Sequence, residues 1–174
     1  GAAIRSGDIA LALVRPMSLP DYYFSRFVGV GMARTIYYGI PAWLLLSVLF
    51  GDLIQIAASR IIIFLPYAMI AFRLAFEVQY LLGIISFYIF MNQQVSWSMD
   101  LLIRLASGLI VPLHLFPDQA LHLLELLPFQ YLYYKPFQAL LEPGSTEALL
   151  SGILPGLFWL GAFYGLNRLL FILA

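Results

Sequence analysis

The chain has 174 residues, of which 63% are apolar, 16% aromatic and only 10% charged, against about a quarter charged in an average soluble protein. So few charges cannot clothe a globule in water, whereas membrane helices joined by short loops need hardly more. Nine basic and nine acidic residues cancel, leaving no basic footprint for nucleic acid, and the lack of cysteine excludes disulfides, thiolate metal sites and cysteine nucleophiles.

Residues 1–21 mix charged and apolar positions (Arg5, Asp8, Arg15, Asp21), are interrupted by Pro16 and Pro20, and are too polar to span. Ser6-Gly7-Asp8 can end one helix and cap the next, because the Asp8 carboxylate accepts from free amides and suits the positive helix terminus. A short interfacial helix from Ile9 to about Arg15 follows, and Pro16 forbids its extension. The chain opens on Gly1 and not on Met, so its start is read as processed, engineered or cut from a longer protein, and the missing signal peptide carries no weight.

Four spans are expected. The first covers 27–50, apolar except for Arg34, whose stem can snorkel to the interface. The second covers 61–91, broken only by Pro66, Arg73, Glu77 and Gln79. As one helix it would exceed a hydrocarbon core of about 30 Å, so it must tilt, kink at Pro66 or protrude. Polar 92–100 reads as a turn, and 101–116 as a short third span holding Arg104 and ending at Pro112 and Pro117. In 117–143, leucines and tyrosines mix with Asp118, His122, Glu125, Lys135 and Glu142, which suits helices lying in or dipping into the interface. The fourth span, 149–174, carries Gly152, Gly156, Gly161 and Gly165, two small-xxx-small steps for close helix packing.

The fold class that follows is all-α: a polytopic membrane helix bundle forming one transmembrane domain over 1–174. Four spans put both ends on one side. That side holds Arg5, Arg15, Arg26, Arg34 and Arg168 against Asp8, Asp21 and Asp100, while the other holds Arg60 and Lys135 against five carboxylates, so the termini are expected in the cytoplasm.

Four constellations bear on chemistry. A phosphate-binding P-loop needs Gly-Lys, yet the only lysine, Lys135, follows Tyr134, so this chain cannot hydrolyse ATP by itself. His114, Asp118 and His122 recur at i, i+4, i+8, a metal-ligand spacing if the helix is continuous, but Pro117 interrupts it. Arg73 and Glu77 share a helix face and must turn towards protein or water, either as part of a transport path or as a structural pair. Asp100 and Arg104 repeat the spacing at the start of the third span and read as a structural lock. No nucleophile with its base and orienter can be assembled, and no cofactor is called for.

Ile4-Arg5-Ser6-Gly7-Asp8-Ile9 followed by Leu13-Val14-Arg15-Pro16 resembles the membrane subunits of the type 2 family of ABC exporters. Ser107-Gly108-Leu109-Ile110-Val111-Pro112, Phe116-Pro117, and Leu126 to Tyr131 with Tyr134 and Pro136 look like that family's stretch from its fifth helix into its outer re-entrant segment. Such permeases usually carry six spans, with the Arg-Ser-Gly-Asp segment after the second, so this chain would lack the first two. The resemblance implies that Arg5, Ser6, Gly7, Asp8, Arg15 and Pro16 form a coupling helix pressed on a cytoplasmic ABC ATPase. It further implies that two permeases, alike or different, pair around a path in a bacterial inner or plasma membrane. The function it implies is export of an amphiphilic or drug-like substrate, with ATP hydrolysed by the partner. An intramembrane metal enzyme using His114, Asp118 and His122, and a non-transporting scaffold using the glycine face, stay open as alternatives.

Overall fold

A computed structural model of the chain describes residues 19–51, 58–89, 93–141 and 151–173. These form helices and turns with no strand among the described residues. Three helical stretches are long and apolar enough to cross a membrane, at Pro20–Phe50, Arg60–Ser86 and Ile153–Phe171. The chain is an integral membrane protein with an all-α bundle fold. It divides into two compact units, one up to Gln55 and one from Ile56 onward.

In the first unit, α1 (Leu19–Arg34) runs through a π-helical turn (Thr35–Gly39) into α2 (Ile40–Phe50). Pro41 has no amide to give the preceding turn, and the helix widens just before it, where the Ile40 amide reaches back to the Thr35 carbonyl. The large apolar side chains of this unit are exposed, Val48 at 82%.

The second unit is built on α3 (Ala58–Ile89), 32 residues that remain one helix across Pro66. At about 48 Å it is longer than the hydrocarbon core. Against it pack the 3-10 turn Pro128–Tyr131, α6 (Tyr134–Leu141) and α7 (Ile153–Leu173). The core joins Tyr67, Leu74 and Val78 of α3 to Tyr131, Leu132 and Ala139, with Trp159, Leu160 and Phe163 of α7 beside them. Between these elements lie α4 (Gln93–Ala106), a short 3-10 turn (Leu113–Leu115) and α5 (Asp118–Leu126).

The stretch expected as a third span, 101–116, is not one helix. The helix starts earlier, at Gln93 within the expected turn, and stops at Ala106. Its end is a Schellman closure: the Leu109 amide returns to the Arg104 carbonyl and the Gly108 amide to Leu105, with Gly108 at φ +79°. A side chain at Gly108 would also crowd Tyr134 at 3.1 Å and Leu113 at 3.3 Å, and the Tyr134 amide donates to the Ser107 carbonyl, so this corner is tied down from both sides. Leu109, Ile110 and Val111 continue the apolar run past the stop, which is why hydropathy reads through it. At 14 residues, or about 21 Å, α4 is short of a full crossing.

Contacts along the seam between α3 and α7 ascend together: Ile70 lies beside Gly156, Arg73 beside Tyr164 and Glu77 beside Asn167. The two helices are therefore parallel.

Candidate functional site

The polar feature of the apolar bundle lies in that seam. Arg73 and Glu77 occupy successive turns of α3, and Arg73 Nη2 stands 2.7 Å from Glu77 Oε1 as an ion pair outside hydrogen-bond alignment. Glu77 is 2% exposed. A buried carboxylate must be answered by charge and donors, and α7 supplies the donors. Asn167 Nδ2 donates to Glu77 Oε2 at 2.6 Å and to the Glu77 backbone carbonyl at 2.9 Å. Asn167 is itself 3% exposed, and its Oδ1 is buried without a hydrogen-bond partner among the described residues. The Arg73 guanidinium leans over Phe76 at 5.3 Å and over Tyr164 at 5.8 Å, using aromatic faces as partial counter-charge. Arg168 Nη1 donates to the Tyr164 hydroxyl at 3.3 Å.

Sequence spacing pointed to Arg73 and Glu77 but missed Asn167 and Tyr164. A signal was present, because Asn167 and Arg168 interrupt an otherwise apolar 153–173, and polar residues inside spans rarely lack a partner. The partner, 90 residues away, could not be read from spacing.

The other expected residues fall elsewhere. Arg104 Nε donates to Asp100 Oδ2 at 2.7 Å on α4, with both side chains exposed. His114 sits on the 3-10 turn, Asp118 opens α5 after extended Phe116, and His122 lies 4.0 Å from Glu125. Broken at Pro117, the three do not converge, and among the described residues no group of three His, Cys, Asp or Glu could hold a metal ion. The metal-enzyme alternative loses its geometric basis. Gly152 lies in the turn before α7. Gly156 is buried, and a Cβ there would meet Tyr131 at 3.0 Å and Ile70 at 3.3 Å, whereas Gly161 and Gly165 have open space around them. Arg5, Ser6, Gly7, Asp8, Arg15 and Pro16 lie outside the described residues.

Gln130, part of the run that carries the family resemblance, is buried and donates to the Glu125 carbonyl, tying α5 to the following turn. Burial pushes the Tyr131 phenol above its ordinary value, so it stays neutral where it packs on Gly156. Beside this core an open apolar groove of about 470 Å³ is walled by Val78 and Leu82 of α3, Leu102 and Ala106 of α4, Phe129, and Phe163 of α7.

The sequence pattern of ABC-2 family transporter proteins matches residues 1–172. The chain belongs to the ABC-2 transporter family. No curated protein and no solved structure matches it. Membership makes it a membrane component of transport and implies partnership with an ABC ATPase. The ABC-2 chain thus combines an apolar groove with a charged seam whose carboxylate is sealed between two parallel helices. Such an arrangement suits holding helices in register and presenting apolar surface, and it offers no activated nucleophile.

Proposed function

We propose that this ABC-2 chain is the permease of an ATP-driven exporter that moves an amphiphilic or drug-like substrate. It works as a dimer of permeases, with a separate ATPase docked on residues 4–16. The observation that carries the cargo class is the groove between α3, α4 and α7, lined by apolar side chains throughout, since an aqueous solute would gain nothing there. The energy comes from the partner, because the chain's one lysine is not in a phosphate-binding loop.

The parallel seam supports a topology. If α3 and α7 both cross towards the cytoplasm, 93–150 returns the chain to the outer face, through α4 and the apolar residues after it. Tyr131 packs on Gly156 near the start of α7, and with Leu132 and Ala139 it joins the core along the middle of α3, which fits an outer segment that dips into the bundle. With the arginine-rich ends inside, both termini face the cytoplasm of a bacterial plasma membrane.

Co-purification with the ATPase and reconstituted transport test this reading together. Asp8→Ala and Arg15→Glu should abolish cargo-stimulated ATP hydrolysis while the permease keeps its stability and cargo binding. Normal transport by both variants would reduce 4–16 to an interfacial anchor. The chain has no native cysteine, so single-cysteine labelling is clean; labelling at Ser6 by an impermeant reagent from outside would reverse the orientation.

A further inference from the structure

Arg168 is an exposed cation on a membrane-crossing helix, and among the described residues no carboxylate pairs with it. It lies five residues before Leu173, about 8 Å from the end of α7. Its partner is the exposed Tyr164, whose hydroxyl accepts from Nη1 at 3.3 Å and so keeps its own proton to donate. The ring of the same tyrosine carries the Arg73 guanidinium 5.8 Å from its centroid. Two guanidiniums therefore flank one phenol. The single carboxylate of the seam faces Arg73 through Oε1 and accepts from Asn167 through Oε2, and it makes no ion pair with Arg168. Among the described residues two guanidiniums and one carboxylate meet at an exposed edge of two apolar helices, where charge is costly.

We infer that Tyr164 and Arg168, in the field of Arg73, bind the anionic head of an amphiphile: a phosphate or carboxylate whose tail lies along the exposed apolar residues of α7. The Arg168 fork can take two oxygens of such a head, and the Tyr164 proton a third contact. A bilayer lipid and an amphiphilic cargo share this chemistry. The site does not depend on ATP-driven export, since binding needs neither the ATPase nor turnover.

The test uses the full chain in phosphatidylcholine nanodiscs, with phosphatidylglycerol, dodecyl phosphate and inorganic phosphate as separate probes read by native mass spectrometry and equilibrium binding. Phosphatidylglycerol should be retained in preference to phosphatidylcholine, and Arg168→Gln should weaken that retention on the order of tenfold, as expected for losing charged hydrogen bonds. Tyr164→Phe should weaken it less, and Arg168→Lys should fall between parent and Arg168→Gln. Dodecyl phosphate binding without phosphatidylglycerol retention assigns the site to a single-chain cargo; retention of both assigns it to lipid as well; inorganic phosphate should bind far more weakly than either. Equal retention of the two lipids together with no dodecyl phosphate binding by the parent chain, which needs no variant, overturns the proposal. So does unchanged binding in Arg168→Gln, which would leave Arg168 as a snorkelling anchor.

Discussion

Two arginine–carboxylate pairs in this chain share a spacing and a distance. Arg73–Glu77 on α3 and Asp100–Arg104 on α4 both sit at i,i+4 with nitrogen and oxygen 2.7 Å apart. Local helix physics favours the second, whose acid precedes its base and so agrees with the helix dipole. Their surroundings reverse that order. The Glu77 side chain is 3% exposed and held by Asn167 from another helix, whereas the Asp100 and Arg104 side chains are 41% and 53% exposed and, among the described residues, bond to no third residue. Spacing makes a pair, and burial decides what breaking it costs.

The sharpest way to break the comparison is to remove one arginine from each pair. Arg73→Ala leaves a buried carboxylate unanswered and should cost about 3–5 kcal/mol, while Arg104→Ala should cost about 0.5 kcal/mol or less. Denaturation in detergent compares them directly, and equal losses would mean that the seam is not dry. Replacing both Arg73 and Glu77 by leucine should recover much of the loss, because the penalty belongs to the stranded charge.

A smaller effect is expected beside the seam. Gly156→Leu must displace Tyr131 or Ile70, since even a Cβ would stand 3.0–3.3 Å from them, and should cost about 1–3 kcal/mol. Gly161→Leu enters open space and should leave detergent stability near the parent's. If both variants behave alike, the four glycines act as composition and not as contacts.

Asn167→Ala removes two donors from Glu77 while sparing Arg73, and should cost about 1–2 kcal/mol by the same measurement. A loss as large as that of Arg73→Ala would make the α7 donors, and not the ion pair, the main support of the carboxylate. The smallest change is expected from Asp100→Asn, at roughly 0.5 kcal/mol or below. A larger loss would place α4 against lipid, where a lone Arg104 is expensive.

Legibility followed the range of the interactions. Apolar runs and the cost of charges in lipid placed helices near 27–50, 61–91 and 149–174 because hydropathy is a local sum. The same sum failed after Ala106, where Leu109-Ile110-Val111 look like span and only the φ +79° of Gly108 ends the helix. Ser107-Gly108 was a visible stop signal outweighed by the apolar residues beyond it. His114, Asp118 and His122 had the spacing of ligands, but Pro117 and extended Phe116 turn them apart.

The sequence by itself determined the solvent, the helical class, the absence of a phosphate-binding lysine and the existence of an Arg73–Glu77 pair, all of which depend on residues within a few turns of each other. Only the tertiary structure decided that α3 and α7 run parallel, that Asn167 seals Glu77, and that Tyr164 stands between two guanidiniums. Those facts join residues about 90 positions apart, and no periodicity in a chain encodes which faces of two apolar helices meet.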